Sequence, residues 1–182
     1  VAPEDRELLT VLAGLHERLG HWRDWQATLE RLAAAAANPQ EQAALLLPAA
    51  HLLATRLRRP DEALALCRRV RERRPGERGA AALMGEIFAR REQWREQAAL
   101  LQEQLHEESD RRERGRLHFE LGRLLLEHLG DATAATGHVE RALELDAGRG
   151  EAFALLQRLY ESQSRWVELI ELLRRRTTAA GV

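Results

Sequence analysis

Seven histidines give this sequence its clearest capacity for metal chemistry, because imidazole nitrogens bind zinc and other transition-metal ions. Three of them, His118, His128 and His138, follow one another at intervals of ten residues. Such a step rotates side chains around a helix instead of aligning them, although His128 and His138 fall in the two helices of one predicted hairpin and could approach each other. With no cysteine nearby and no HExxH-type pair, we expect neither a metal site nor a cofactor.

Cys67 is the single cysteine, so neither an internal disulfide nor a multi-cysteine zinc site is available. It lies on an apolar stripe between Ala63 and Val70, which predicts a small buried hydrophobic residue, and no general base can be nominated for it. No Ser-His-Asp arrangement, phosphate-binding glycine loop or pair of catalytic carboxylates can be singled out. We therefore expect that the chain is not an enzyme.

The strongest concentration of charge is segment 56–78, RLRRPDEALALCRRVRERRPGER, with a local excess of +5. Five arginines on the outer faces of one predicted helix could grip phosphates or an acidic partner. They are Arg68, Arg69, Arg71, Arg73 and Arg74. A solvated face with arginines near a helix C-terminus explains the same pattern, and the matching segment TGHVERALELD is acidic. Because the net charge of the chain is −1, an acidic protein is favoured over nucleic acid as the partner of this face.

Length and composition bound the remaining classes of function. The 182 residues are 45% hydrophobic and 31% charged, which is typical of a soluble, helix-rich chain. No apolar run approaches the ~20 residues that span a bilayer, and no segment resembles a signal peptide, so we expect no membrane insertion and a cytoplasmic location. All basic residues other than histidine are arginine, a bias typical of a bacterial genome of high GC content. The chain starts with Val1 rather than methionine, and we expect it to be a segment of a larger protein.

A repeat of 72 residues organises the chain. Trp22 recurs as Trp94 and as Trp166, in the ungapped stretches HWRDWQATLERL, QWREQAALLQEQ and RWVELIELLRRR. The chain therefore holds about two and a half copies of one unit. A residue that recurs in every copy is expected to be structural, so each recurring tryptophan is interpreted as a wedge against the preceding helix. Trp25 does not recur, and we expect it to be packed, with a ligand role as the alternative.

Each unit divides into four helical segments. The first carries an apolar stripe with the i, i+3, i+4, i+7 spacing of one helix face, and the stripe recurs in every copy. The members of this stripe are Leu8, Val11, Leu12 and Leu15, then Ala80, Leu83, Met84 and Ile87, then Ala152, Leu155, Leu156 and Leu159. The third segment has the clearest start, because Asn38 is a good N-cap, Pro39 suits the first turn and Glu41 completes a capping box. Asp110 and Glu113 offer the same chemistry one period later.

Five helical hairpins result, over residues 4–37, 39–74, 77–108, 110–146 and 149–178. Strong helix formers dominate and strand alternation is missing. One amphipathic hairpin of this size cannot cover its own apolar face, so it must stack on its neighbours. The expected fold is an all-α solenoid of ten helices, a single repeat domain over 1–182. The last helix presents Leu169, Leu172 and Leu173 without an obvious polar cap, which predicts a further repeat or self-association there.

The stretch LHFELGRLLLEHLGDATAATGHVERALELD resembles the tetratricopeptide repeat (TPR). Leu121-Gly122 looks like the Leu-Gly pair of that family, in which a small residue lets the paired helix approach. Gly130-Asp131 resembles its turn between helices, and Ala135 lies where the family keeps an alanine. The match is good over 115–149, fair over 43–77 and weak in the hairpins that contain the tryptophans.

The resemblance implies a right-handed superhelix whose concave groove is lined by the first helix of each hairpin. It also implies an interaction scaffold that binds a protein or peptide rather than an enzyme. On this analogy the partner-binding residues are Leu47, His51, Glu86, Arg116, Phe119, Arg123, Glu127 and Arg158. Phe119 is expected to be exposed, with room for an acidic group near Arg116 and Arg123. The alternatives are nucleic-acid or acidic-partner binding through segment 56–78, and a regulatory or sensor module of a larger multidomain enzyme.

Overall fold

The computed structural model describes residues 3–179, which form ten α-helices and contain no strand. The predicted all-α helical repeat with ten helices is confirmed. The helices are α1 (Pro3–Leu19), α2 (Trp22–Ala34), α3 (Pro39–Thr55), α4 (Pro60–Arg73), α5 (Arg78–Arg90), α6 (Trp94–Glu107), α7 (Arg111–Glu127), α8 (Ala132–Leu145), α9 (Gly150–Ser162) and α10 (Trp166–Ala179).

The chain divides into two compact units, Val1–Gln93 and Trp94–Val182. In the first unit α1 packs on α2, α2 on α3, α3 on α4 and α4 on α5. In the second unit α6 packs on α7, α7 on α8, α8 on α9 and α9 on α10. Packing of each helix on its neighbours in the chain is the pattern of a helical repeat protein. That the whole chain acts as a single domain stays a prediction.

The predicted helix starts are confirmed by their hydrogen bonds. Asn38 is the N-cap of α3, and its Oδ1 accepts from the backbone N–H of Glu41 at 2.9 Å. The Glu41 carboxylate accepts in turn from the N–H of Ala37 at 2.8 Å. Asp110 caps α7 in the same way, accepting from the N–H of Glu113 at 2.8 Å. Each cap satisfies N–H groups that the first helical turn leaves without a partner.

The second helices of the even hairpins, α4 and α8, bury their small apolar residues as predicted. Ala63, Cys67 and Val70 of α4 are buried, as are the matching residues of α8. Burial raises the pKa of the Cys67 thiol to about 11, so this thiol stays protonated at neutral pH. A buried, protonated thiol is a packing residue rather than a nucleophile.

Gly122 has the role that the TPR resemblance implies for it. A Cβ added there would lie 2.8 Å from Cγ2 of Val139 and 3.1 Å from the carbonyl oxygen of Ala135. Only a glycine lets α7 and α8 approach this closely. Gly130, in the turn between them, has φ +67°, a backbone conformation that favours glycine.

The apolar stripe of the first helix is buried in α5 and α9 but not in α1. Leu8 is 63% exposed and Val11 61%, whereas Leu83 and Leu155 are buried. The same spacing therefore marks a buried face in α5 and α9 and a largely exposed one in α1. The physical reason is that α4 covers α5 and α8 covers α9, whereas α1, among residues 3–179, buries only the side that faces α2 and α3, through Leu9 and Ala13.

The tryptophans that begin α2 and α6 are half-buried, and each ring contacts a residue at the end of the next helix in the chain. The guanidinium of Arg56, at the end of α3, lies over the ring of Trp22. The imidazole of His128, at the end of α7, stacks on Trp94. Trp166, which begins α10, is 56% exposed. The wedge is thus built against the helix that follows, and the expectation of a wedge against the preceding helix misses these contacts.

Helix α10 buries one side of its apolar face and exposes the other. Leu169 packs against the Leu155 and Tyr160 region of α9, so its expected exposure is wrong. Ile170 is 50% exposed and Leu173 42%. Self-association or a further repeat at this helix stays a prediction.

Candidate binding groove

Three of the predicted partner-binding residues belong to the first unit, and they lie on neighbouring first helices. Leu47 of α3 contacts α5, because its Cδ1 is 3.2 Å from where a Cβ on Gly79 would lie. His51 of α3 and Glu86 of α5 are exposed, and Glu86 pairs with Arg90 at 3.3 Å. These residues present polar groups beside a close contact between α3 and α5.

Arg116 of the second unit is already neutralised by its own helix. Its Nη2 lies 2.6 Å from Oε1 of Glu113, and its Nη1 contacts Glu120. The hydrogen bond to Glu113 and the charge of Glu120 hold the pKa of Arg116 well above its ordinary value. An arginine with two carboxylate partners has little charge left for an acidic ligand. Exposed Arg123 is closer to a free cation, since its Nε is 3.7 Å from Glu127.

Phe119 is a core residue, and the expectation that it is exposed is wrong. Its side chain is only 7% exposed and packs with Val139, Leu156 and Tyr160 between α7, α8 and α9. The guanidinium of Arg149 covers its ring at 5.7 Å from the centroid. Arg158 is exposed on α9, as predicted. Because Phe119 is buried, a partner that contacts Arg158 would not also find the aromatic surface that the sequence predicted.

A concave space of about 410 Å³ opens in the first unit, between α1, α2 and α3. Helices α1 and α3 form its two sides, and Trp25, Leu29 and Leu32 of α2 line its base. The lining residues central to the groove are Thr10, Ala13, Gly14, Trp25, Leu29, Leu32, Ala44, Leu45 and Pro48. Its volume lies within the range of ligand clefts, about 300–1,000 Å³. We call this space the α1–α3 groove.

Trp25 forms the aromatic part of the groove and is half-buried there. It packs against the cluster of Leu9, Ala13 and Leu32, which confirms that Trp25 is packed. Its ring centroid lies 6.0 Å from that of Trp22, with the two planes tilted by 58°. An indole that is fixed on one side by aliphatic groups offers a rigid apolar surface on the other.

Charged side chains border the groove on two helices. Arg6 of α1 forms an ion pair with Glu41 of α3, and Glu17 of α1 lies at the other end of the α1 lining. Gly14 faces open space, since nothing lies within 4 Å of a Cβ built on it. The groove is therefore apolar within and polar at its border, the usual composition of a recognition site.

The repeat itself shows that this space is not required by the fold. Where the first copy has Gly14, Ala44 and Pro48, the second copy has Glu86, Arg116 and Glu120. The last two form an ion pair in α7, while Ala44 and Pro48 leave space beside α3. Pro48 stands inside α3, which continues as one helix to Thr55.

Sequence reasoning identified the groove face of α3 but missed Thr10 and Gly14 of α1. Comparing the copies position by position carries a signal for Gly14, because the matched residue of the second copy is Glu86. Thr10 carries no such signal, since its match is Ala82. Of the predicted residues in the second unit, Arg116, Arg123 and Glu127 lie in ion pairs along α7. Phe119 lies in the core.

The arginines of α4 form a solvent-facing surface. Arg68, Arg69 and Arg73 are exposed, and Arg74 pairs with Glu77 at 2.7 Å. The positive charge of Arg68 also contributes to the lowered pKa of Asp61, after the larger effect of the hydrogen bond from Arg91. Whether this surface binds a partner stays a prediction.

The histidines pair differently from the expectation. His138 approaches His118 instead of His128, with 3.0 Å between their Nδ1 atoms. In the first unit, His16, His21 and Asp24 bring three side chains of metal-ligand type together, with their ligand atoms within 4.8 Å of one another.

The fold is that of an all-α helical repeat protein of the TPR-like type, as solved structures show. A crystal structure of MamA protein superposes with a TM-score of 0.59 at 13% identity, covering 95% of this chain and 90% of that one. MamA from Desulfovibrio magneticus RS-1 gives 0.53 at 16% identity, covering 96% and 98%. YrrB, a TPR protein with an unusual peptide-binding site, gives 0.52 at 21% identity, covering 71% and 64%. No protein-family model and no curated protein sequence matches the chain.

Between residues 3 and 179, no helix combines the length and the apolar character needed to cross a bilayer.

Proposed function

We propose that this chain is a non-enzymatic protein–protein interaction scaffold that binds an apolar segment of a partner protein in the α1–α3 groove. The observation that carries this proposal is a concave apolar space of about 410 Å³ around the indole of Trp25. Small side chains at Gly14 and Ala44 allow a partner backbone to approach closely, and the indole supplies the apolar contact area.

The structural neighbours support the same class of function. YrrB shares the fold and is a peptide-binding TPR protein. Leu47 and His51, two of the partner-binding residues predicted from the sequence, lie on α3, and we keep them as candidate contacts for the part of the partner that extends beyond the groove. The buried Phe119 is removed from the set of contacts.

The proposal is tested with a substitution taken from the repeat. Ala44→Arg introduces the residue that the second copy carries at the matched position, so it is compatible with a helix of this type while it fills the groove. Ala65→Arg adds the same side chain at an exposed alanine of α4 outside the groove and serves as the control.

Peptides selected from a random displayed library on the wild-type chain are measured by fluorescence anisotropy against all three proteins. We expect selected peptides to carry apolar residues and to lose affinity at least about tenfold on A44R, with no change on A65R. Binding that A44R leaves intact, or a library that yields no peptide above background, would refute the groove as the binding site.

A further inference from the structure

The turn between α1 and α2 gathers two imidazoles and one carboxylate. His16 lies in the last turn of α1, His21 is the N-cap of α2, and Asp24 follows in the first turn of α2. Gly20 reverses the chain between them with φ +69°. The backbone N–H of His21 donates to the carbonyl of His16 at 2.9 Å, which fixes the spacing of the two histidines.

We propose that His16, His21 and Asp24 bind a divalent transition-metal ion such as Zn²⁺. Two imidazole nitrogens and a carboxylate oxygen form a donor set suited to zinc and its neighbours, and less suited to Ca²⁺ or Mg²⁺. The three ligand atoms lie within 4.8 Å of one another. Bonds of about 2.0–2.2 Å to one ion need ligands about 3–3.5 Å apart, a change that side-chain rotation of exposed His21 and Asp24 supplies.

The side chain of His16 has an unsatisfied ring nitrogen. Its Nδ1 is buried and has no hydrogen-bond partner among the described residues. The imidazoles of His16 and His21 lie with ring centroids 5.9 Å apart and planes tilted by 38°, so neither ring stacks face to face on the other. A buried nitrogen without a partner is unusual in a folded protein, and it leaves this ring free to reorient toward an ion.

The other copies of the repeat act as an internal comparison. The positions of His16, His21 and Asp24 are occupied in the third copy by Tyr160, Arg165 and Glu168. There the Arg165 Nε donates to Glu168 Oε1 at 2.8 Å, and the guanidinium lies 4.7 Å from the centroid of the Tyr160 ring.

In the third copy, the guanidinium of Arg165 thus places a positive charge beside the Glu168 carboxylate. In the first copy the carboxylate remains, while the arginine and the ring are both replaced by imidazoles. A bound metal ion would take the place of the guanidinium charge. The second copy, with Phe88 and Gln93, shows that the repeat itself does not require a histidine at either position.

The electrostatic surroundings set the expected strength of the site. The carbonyl groups at the C-terminal end of α1 favour a cation, whereas the N-terminal end of α2 disfavours one. The Asp24 carboxylate offsets the second effect. Exposure of His21 and Asp24 leaves the remaining coordination positions of the ion to water or to a ligand atom of a partner.

The experiment titrates the tag-free chain with Zn²⁺ by calorimetry and with Co²⁺ by visible absorption. We expect one saturable site in the wild type. His21→Gln and His16→Phe introduce the residues of the second copy, and Asp24→Asn removes the charge; each is expected to weaken binding at least about tenfold. His106→Gln, at an exposed histidine of α6 that belongs to neither candidate site, is the matched control and should bind as the wild type does.

Binding that survives H21Q and D24N would overturn the proposal, as would no saturable binding at millimolar Zn²⁺. Both variants alter exposed side chains, so they keep the test valid if H16F does not fold. The variant H118L/H138L removes the other close histidine pair, and loss of the site in that variant alone would assign the metal to the second unit instead. The result is independent of peptide binding in the α1–α3 groove.

Discussion

Trp94 stacks face to face on His128, with ring centroids 3.6 Å apart and planes within 11° of parallel. His128 is the C-cap of α7, and the matching C-cap of α3, Arg56, lies 5.5 Å from the centroid of Trp22. The same contact is thus made in both copies, once by an imidazole and once by a guanidinium. Both groups are flat and polar and suit the face of an indole. The indole therefore packs on the C-terminal end of the first helix of the next hairpin.

This contact predicts unequal effects of removing two equivalent tryptophans. Trp94 packs against the apolar cluster that α6 and α7 form, and also stacks on His128, so Trp94→Ala is expected to lower the free energy of unfolding by about 2–3 kcal/mol. Trp166 is 56% exposed, and Trp166→Ala should cost less than about 0.5 kcal/mol. Urea denaturation followed by circular dichroism measures both. Equal losses would show that Trp94 has no role beyond that of an exposed indole.

The sizes of Gly122 and Val139 are complementary, because the absence of a side chain at Gly122 leaves room for Val139. The first copy shows the alternative pairing. The equivalent positions there are Ala50 and Cys67, a larger residue facing a smaller one. Gly122→Ala alone is expected to destabilise the chain by about 1–3 kcal/mol, because its Cβ would lie 2.8 Å from Val139 Cγ2.

The double variant G122A/V139C restores the pairing of the first copy and should recover at least about 1 kcal/mol of the loss. Thermal unfolding of the two single variants and the double variant gives the coupling energy. Strictly additive effects would argue against a direct contact between these residues.

The His118–His138 pair predicts a loss of stability in acid. Burial, with help from the charges of Arg114 and Arg141, lowers the pKa of His118 to about 4, and burial lowers that of His138. A lowered pKa means that the unfolded chain binds more protons between pH 4 and 6.5. The stabilisation is therefore complete above about pH 6.5 and is lost as the pH falls toward 4.

Solvent screening of these half-exposed rings limits the loss to about 1–2 kcal/mol. The first copy has Leu46 and Leu66 at the two positions, so H118L/H138L is a conservative replacement. We expect this variant to lose the dependence between pH 7 and 4 that the wild type shows in urea denaturation. An unchanged pH profile would place the acid sensitivity elsewhere in the chain.

The arginines of α4 predict at most weak, salt-sensitive binding of nucleic acid. The chain carries a net charge of −1, so only the local surface attracts phosphate. We expect no measurable binding of duplex DNA at physiological salt in a filter-binding titration. Binding that persists there and disappears in R68E/R69E/R73E would instead support the nucleic-acid alternative. The triple variant R95E/R112E/R123E, at three exposed arginines outside α4, changes the net charge by the same amount and is the control.

Where sequence reasoning failed, the cause lies in neighbours that local patterns do not specify. The stripe on α1 has the same spacing as the stripe on α5, yet Leu8 is exposed because α1 is not covered as α5 is. Phe119 lies at a groove position by analogy, yet the approach of α9 buries it. His16, His21 and Asp24 span a helix boundary, where helical periodicity predicts nothing about proximity.

By itself the sequence determined the repeat, the ten helices, the N-caps of α3 and α7 and the small residues of the helix pairs. These features depend on interactions over a few residues and on a period that is visible in the letters. Only the tertiary structure decided which apolar faces are covered, which arginines are already paired and where a concave space opens around Trp25. Those properties depend on the volume and charge of side chains brought together from different helices, and residue spacing along one helix carries no record of them.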